Sequence, residues 1–307
     1  MIEGAINNVS TNKQNPYLSM DVFLRVPVYL QTGMRGSKMQ TDNVELTSKQ
    51  KMSKSKKTLL AIGGIAAAAL GTVLAVKGYR SHQITKSLER IEQTFSKLQE
   101  NIPEVQKTFK DVFLRDDITE KETLEMLNRY KEVEKIGVTG TKEEYIQAMF
   151  REARNNFKID ISPSTISAKI VNEPIMGNER ILGFTDPLGW VSIRSNIEHQ
   201  YISDVIHHEL RHLKQRIYSF NLSPDEYVSF NQPTNMTIPK KMFELHLGGK
   251  ADISKIPPEH MEFAEKSRDG MIAYKAVTDD EIVHYAQWVE DDAHKTGQKM
   301  AKLLGYR

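Results

Sequence analysis

Two histidines and a glutamate in the segment His208-Glu209-Leu210-Arg211-His212 have the residue types and the spacing of a metal-dependent hydrolytic site. On an α-helix, residues four apart share one face, so the imidazoles of His208 and His212 can reach the same ion. Zinc suits two imidazoles and a carboxylate, with one position left for water. The ion lowers the pKa of that water, and Glu209 can take its proton as it attacks a peptide carbonyl. The pattern predicts two ligands and a general base.

The helix that must carry these residues is predicted over about 198–216. His208 and His212 fall together on the side of this helix opposite an apolar stripe, as a pair of residues lining a cleft should. We expect the adjacent His207 to support the site or to lie on the surface. The alternative is that two surface histidines have this spacing by accident. The apolar stripe comprises Ile202, Ile206, Leu210, Leu213 and Ile217.

A third ligand is expected from a later helix, because the continuation of the metzincin motif would need Gly and His where the chain has Gln215 and Tyr218. The last helix is predicted to start near Thr278, to be capped by Glu281 and to end near Leu304. One of its faces is small or apolar except for a single carboxylate, which is costly unless it is paired or bound to a metal. That face comprises Val283, Ala286, Glu290, Ala293, Gly297 and Ala301.

Glu290 is therefore the predicted third ligand, and it could instead be an ordinary surface glutamate. Its rivals lie in the intervening segment and are Glu244, His246, Glu262 and Glu265. His294, one turn beyond Glu290, could support the site, contact substrate or simply be exposed. The candidates for polarising the scissile carbonyl are Tyr218, His246 and His260, and the sequence does not choose among them.

The composition of the 307-residue chain narrows the possible functions. Hydrophobic residues make up 39% and charged residues 27%, an ordinary globular balance. The formal net charge of +2 gives no reason to expect a nucleic-acid partner. There are no cysteines, so disulfides, thiolate ligands and a cysteine nucleophile are excluded, and there is no GxSxG motif.

Residues 58–76 form an uncharged apolar run of the length that spans a bilayer, and they follow a polar tail over residues 1–48. A single transmembrane helix is predicted there, within a basic flanking region at 49–80; the alternative is a buried Ala-rich helix. Lysines are denser before the run than after it, which places the tail in the cytoplasm and the C-terminal part outside. The spacing of Gly64 and Ala68 makes self-association through this helix possible.

Beyond the span, residues 81–140 are predicted to form a helical stalk or linker, and residues 141–307 a second domain. A heptad-like stripe runs from Ile84 to Leu98, and capping patterns open later helices at Thr119 and Thr141. Strands are predicted at 167–171, 180–185 and 190–194, the last two joined by a tight turn at Asp186-Pro187-Leu188-Gly189. The predicted fold class is α+β: a small sheet, the histidine helix and a C-terminal ligand helix.

Over about residues 141–307 the chain resembles the zincin superfamily of metallopeptidases, in its glutamate-ligand branch. The resemblance rests on ILGFTDPLGWVSI, HHELRH and WVEDDAHKTG, in that order. It implies a zincin-like fold, with zinc ligands His208, His212 and Glu290 and the base Glu209. It also implies that Trp190–Arg194 is the edge strand that holds an extended substrate by strand addition.

The chain departs from the resemblance at Arg211 and Lys214, where the family tends to have uncharged residues. These charges predict either a wetter flank of the helix or a contact with acidic groups. The segment 220–277 matches no pattern that we can interpret.

Two functions follow from this sequence. The first is a membrane-anchored zinc peptidase that acts on a peptide or protein substrate outside the cytoplasm. The second is a catalytically inert, membrane-anchored interaction protein that uses a zincin-like fold. The presence of the base and of both histidines favours the enzyme.

Overall fold

The structure is a computed structural model that describes residues 81–159, 167–232, 237–273 and 287–306. The chain divides into one unit of residues 1–24 and 88–307 and a second unit of residues 25–87. Of the second unit only residues 81–87 are described, and they are helical. The described part of the first unit is rich in helices and contains a three-stranded sheet. The predicted α+β class is confirmed at this level, and the finer zincin-like architecture stays a prediction.

Within the described residues, four helices precede the sheet: α1, of which residues 88–99 belong to this unit, α2 (Ile102–Phe113), α3 (Glu120–Thr139) and α4 (Lys142–Asn156). The predicted caps are confirmed, since Thr119 accepts a hydrogen bond from the Glu122 amide and Thr141 forms a capping box with Glu144. Buried side chains of these helices belong to the same hydrophobic core as the later helices. Side chains from the segment 88–140 thus contribute to this core.

The sheet comprises β1 (Lys169–Val171), β2 (Gly183–Thr185) and β3 (Val191–Arg194), in the spatial order β1-β3-β2. β3 pairs in parallel with β1 and antiparallel with β2. The tight turn between β2 and β3 is confirmed, and the Asp186 carboxylate accepts hydrogen bonds from the amides of Leu188 and Trp190. The prediction that Trp190–Arg194 is an edge strand is wrong, because β1 occupies the far side of β3. The edge strand beside the histidine helix is β2.

The histidine helix, α5 (Ile202–Leu222), follows a 3-10 turn at His199–Tyr201. Its predicted apolar stripe is confirmed, since Ile202, Ile206, Leu210 and Leu213 are fully buried. The helix begins later and ends later than predicted. It is followed by α6 (Pro224–Phe230), α7 (Lys240–His246), 3-10 turns at Ile253–Lys255 and Pro258–His260, and α8 (Met261–Ile272).

The last helix, α9 (Trp288–Leu303), begins well after the predicted start. Thr278 and Glu281 lie outside the described residues, and Gln287 has an extended backbone that ends the helix on its N-terminal side. The predicted inward face is confirmed for its described members, because Glu290, Ala293, Gly297 and Ala301 are buried. This face packs against α5.

None of the helices within the described ranges is long and apolar enough to cross a membrane. The predicted span at residues 58–76 and the polar tail before it lie outside those ranges.

Candidate metal centre

The helix α5 brings two predicted ligands together on one of its faces. The Nε2 atoms of His208 and His212 lie 3.0 Å apart, and the planes of the two rings are nearly perpendicular at 83°. The His212 side chain is 10% exposed and the His208 side chain 19%, so the pair lies at the boundary between the core and the solvent. One turn of helix is enough to produce this arrangement.

The helix α9 supplies the third side chain. Oε2 of Glu290 lies 3.3 Å from Nε2 of His212 and 3.5 Å from Nε2 of His208, and its side chain is only 4% exposed. Among the described residues, these three form one of two groups whose donor atoms could hold a metal ion. The structure therefore brings the predicted set His208, His212 and Glu290 together from two helices that are distant in sequence.

The distances between the donor atoms can be compared with those of a zinc site. In tetrahedral coordination with bonds of about 2.0–2.1 Å, ligand atoms lie about 3.3 Å from one another. The three separations here, 3.0, 3.3 and 3.5 Å, are scattered around that value. Two imidazoles and one carboxylate are also a donor set that zinc accepts. These residues would fit a zinc ion.

The electrostatics of the site favour positive charge. Burial disfavours the imidazolium form of His212, but the charge of Glu290, a hydrogen bond to that carboxylate, the charge of Glu209 and a hydrogen bond to Gln215 outweigh it and raise the pKa of His212 to about 9. Burial likewise opposes ionisation of Glu290, yet His212 and His208 lower the pKa of Glu290 well below its ordinary value. A field that stabilises a proton at this position would also stabilise a metal cation.

The predicted base, Glu209, is buried between α5 and the edge strand β2. Its carboxylate lies 2.8 Å from the hydroxyl of Thr185, and that hydroxyl also lies 2.9 Å from the main-chain oxygen of Glu209. A Cβ at Gly183 would lie 2.8 Å from Cγ of Glu209 and 2.6 Å from Cγ1 of Val205. Only glycine at position 183 lets the strand approach this closely, so β2 fixes the position of the carboxylate.

His207 is a core residue, and the prediction that it supports the site or lies on the surface is wrong. It is fully buried, its Nδ1 lies 2.7 Å from the main-chain oxygen of Ser203, and its Nε2 lies 2.9 Å from the hydroxyl of Tyr130. Burial lowers the pKa of His207 to about 4, against the opposing effect of the hydrogen bond to Ser203. This histidine is therefore held neutral inside the core.

Of the two charged residues that depart from the resemblance, Arg211 is buried and Lys214 is half-buried. Arg211 makes a two-pronged ion pair with Asp292 of α9, at 2.7 and 2.8 Å, which confirms the predicted acidic contact. Lys214 donates a hydrogen bond to the main-chain oxygen of Phe157 at 3.2 Å and lies over the ring of Tyr218. For Arg211 the alternative expectation, a wetter helix flank, is wrong.

The rival ligands do not join the triad. Glu262 is exposed and paired with Lys266, Glu265 is exposed, and Glu244 is half-buried on α7. His246 is buried against the ring of Trp190, with ring centroids 5.6 Å apart. None of these four belongs to a possible metal-binding group within the described ranges.

Among the residues considered for carbonyl polarisation, Tyr218 and His260 pair with each other instead, through the Tyr218 hydroxyl and Nδ1 at 3.2 Å. His260 also forms the second possible metal-binding group, with the exposed carboxylates of Asp116 and Glu259. His294, by contrast, lies beside the triad, with its ring centroid 6.4 Å from that of His208. No signal in the sequence connects Asp116 with residues 259 and 260.

Three further residues of the site were not predicted: Thr185, Gln215 and Asp292. Gln215 lies one turn after His212, and this helical spacing could have identified it. Arg211 inside the motif indicated an acidic partner without identifying Asp292. The contact of Thr185 depends on how β2 packs against α5, so no local pattern predicts it.

Comparisons of the chain with protein-family models, curated proteins and solved structures found no match. The resemblance to the zincins therefore stays a prediction that rests on the residues quoted for it.

Proposed function

We propose that the chain is a zinc-dependent peptidase in which His208, His212 and Glu290 hold the ion and Glu209 is the general base. The observation that carries this proposal is the convergence of three donor atoms from α5 and α9 to within 3.0–3.5 Å of one another. When bound, the ion would supply Lewis acidity, which polarises a carbonyl and lowers the pKa of a water molecule.

The remaining chemistry belongs to side chains of this protein. Glu209 directly follows the first ligand, and its charge acts on His212. We assign to its carboxylate the acceptance of a proton from an attacking water. The hydroxyl of Thr185 limits the orientations available to that carboxylate. Neither role needs a nucleophilic side chain, which agrees with a chain that has no cysteine.

We propose further that the unit acts while tethered to a membrane by residues 58–76, with the catalytic part outside the cytoplasm. The uncharged apolar run and the denser lysines before it support this arrangement. Its substrates would then be peptides or proteins accessible on that side.

The proposed function is tested by the metal content and peptidase activity of the full-length chain, purified in a mild detergent and loaded with zinc. Element analysis and a fluorogenic peptide library would be applied to the wild type, His208→Ala, Glu290→Gln and Glu209→Gln. We expect one zinc per chain in the wild type and in Glu209→Gln, loss or weakening of zinc in the ligand variants, and cleavage by the wild type only.

Two results would overturn the proposal. A folded wild type that takes up no zinc would leave His208, His212 and Glu290 as a structural ion-pair cluster, and would favour the inert interaction protein. Cleavage that persists at the wild-type rate in Glu209→Gln would remove the general base from the mechanism.

A further inference from the structure

His212 has a second ring nitrogen, and its partner determines which nitrogen can face a metal. Nδ1 of His212 lies 2.9 Å from Oε1 of Gln215 in a buried contact. A carboxamide oxygen only accepts hydrogen bonds, so Nδ1 must carry a proton. In a neutral imidazole the lone pair is then on Nε2, the atom that lies 3.3 Å from Glu290.

The orientation of the Gln215 carboxamide is fixed by what its other end contacts. Nε2 of Gln215 donates to the main-chain oxygen of Val289 at 3.0 Å and to Oδ2 of Asp292 at 2.9 Å. Both partners are acceptors. A carboxamide turned by 180° would direct its oxygen at these two acceptors and its NH₂ group at the imidazole. The flipped arrangement therefore loses the hydrogen bonds to Val289 and Asp292 and turns an acceptor toward each of these acceptors.

Asp292 is itself held in place by a buried cation. Arg211 donates to both of its carboxylate oxygens, and also donates to the main-chain oxygen of Val112 at 3.1 Å. The Arg211 guanidinium lies over the ring of Phe263, 4.6 Å from the ring centroid. The Arg211 side chain is 5% exposed and the Asp292 side chain 17%, so the ion pair is largely shielded from water. Two-pronged pairs of this kind are geometrically specific.

We propose that Gln215 is a positioning residue of the metal centre, which holds His212 in the tautomer that presents Nε2 and couples that imidazole to α9 through Asp292. This inference rests on the proposed zinc site. The same two elements, α5 and α9, supply the three ligands, so the chain His212–Gln215–Asp292–Arg211 sets the ligand geometry before any ion binds. Residues that hydrogen-bond to the ligands of a metal in this way hold those ligands in the orientation that binding needs.

Gln suits this position better than the carboxylate that often supports a metal-binding histidine. The residue must accept a hydrogen bond from the imidazole and donate one to Asp292; a carboxamide does both, whereas an ionised carboxylate only accepts. A glutamate at position 215 would retain the acceptor but would place a second carboxylate at 2.9 Å from Asp292. The substitution Gln215→Glu therefore tests the contact with Asp292 while it retains the contact with His212.

The test measures the zinc affinity of the full-length chain by competition with a chelator, and the visible absorption of the Co²⁺-loaded form. The variant Gln215→Met keeps the approximate size and removes all three polar contacts of the side chain, and Gln215→Glu removes only the donor. The matched control is Gln147→Met on α4, which loses a single hydrogen bond from its carboxamide to the main-chain oxygen of Ala168. Thermal unfolding is recorded for every variant.

We expect Gln215→Met and Gln215→Glu to bind zinc about 10- to 100-fold more weakly than the wild type and to change the Co²⁺ spectrum. Gln147→Met should be destabilised without a change in zinc affinity or spectrum, because a purely structural loss does not reach the ligands. If Gln215→Met does not fold, Gln215→Asn replaces it, since a carboxamide one methylene shorter cannot span both partners.

Wild-type zinc affinity in folded Gln215 variants would overturn this inference and leave the proposed zinc site intact. A wild type that binds no zinc would overturn the proposed function, and this inference with it. The two failures are therefore distinguished by the wild-type measurement alone.

Discussion

The hydroxyl of Thr185 lies 2.8 Å from the carboxylate of Glu209, and this contact joins the edge strand β2 to the predicted general base. Both side chains are buried, at 2% and 5% exposure. A hydrogen bond to a charged group in such surroundings is worth about 1.5–3 kcal/mol. Thr185 therefore limits the directions in which the carboxylate can point.

Replacing Thr185 by valine should lower peptide turnover by about tenfold or more, because the valine keeps the volume and removes the hydroxyl. Zinc content should stay at the wild-type value, since Thr185 contacts none of the three ligands in the described structure. Thr185→Ser retains the hydroxyl and is the matched control. Comparable turnover in Thr185→Val and Thr185→Ser would show that Glu209 needs no support from β2.

The close approach of α9 to α5 depends on Gly297. A Cβ at this position would lie 2.4 Å from the main-chain oxygen of Asp204, which is too close for any carbon. We expect Gly297→Ala to force the helices apart, to lower the free energy of unfolding by about 1–3 kcal/mol and to weaken zinc binding through the displacement of Glu290.

Lys302→Ala, at an exposed position of the same helix, is the control for Gly297→Ala. Urea unfolding and zinc competition would be measured on both. If Gly297→Ala unfolds and binds zinc as the wild type does, the helices have room to spare, and the small face of α9 is not what positions Glu290.

Much of the site could be predicted because its residues lie at regular spacings. The HExxH spacing identified His208 and His212, and the small residues of α9 singled out Glu290 as the one carboxylate on an inward face. Helix caps at Thr119 and Thr141 were predictable for the same reason, since capping depends on side chains only three residues apart.

The misassignments concern contacts between distant segments. The sequence around His207 does not distinguish it from a surface histidine. It lies in the core because Tyr130 of α3 packs against it. The edge position of β2 depends on whether β1 pairs with β2 or with β3, and short apolar strands do not specify that choice. The charge of Arg211 was enough to predict an acidic partner, but nothing in the sequence identified that partner as Asp292.

Stability should fall with rising pH through the titration of Glu134, a buried carboxyl that accepts hydrogen bonds from Tyr145 and Tyr306. Burial raises the pKa of Glu134 to about 7, against the effect of those hydrogen bonds. At pH values between the pKa of Glu134 in the unfolded chain, near 4.5, and its pKa in the folded protein, about 7, the folded state binds one more proton than the unfolded state. The contribution of Glu134 to the free energy of unfolding is therefore fully present below pH 4.5. It is lost as the pH rises toward 7, by roughly 3 kcal/mol in total.

Glu134→Gln should remove this dependence, because the carboxamide has the same shape and does not ionise. Urea unfolding at several values from pH 5 to pH 8 would compare the variant with the wild type, and the difference between them isolates this group from other titrations. The free energy difference should grow in favour of Glu134→Gln as the pH rises. A difference that is constant across this range would show that Glu134 is not the titrating group.

The open side of the metal centre is marked by His208, whose side chain is 19% exposed against 10% for His212 and 4% for Glu290. His294 is exposed and stands on that side, with its ring centroid 6.4 Å from that of His208. In the proposed peptidase, a peptide would approach the centre from the solvent, and its scissile carbonyl would lie on the side of this imidazole. A hydrogen-bond donor at such a position stabilises the charge that develops on the carbonyl oxygen.

His294→Gln should therefore lower kcat by about 100-fold and leave zinc content unchanged, because His294 is not one of the three ligands. His82→Gln, at another exposed histidine, is the control and should cleave at the wild-type rate. Steady-state kinetics on the best peptide of the library would separate kcat from KM. A loss confined to KM would assign His294 to substrate binding alone, and unchanged kinetics would remove it from the site. A loss of kcat with zinc retained would make His294 the group that polarises the carbonyl, in place of Tyr218, His246 or His260. Among these four described residues, it is His294 whose ring lies beside that of a ligand.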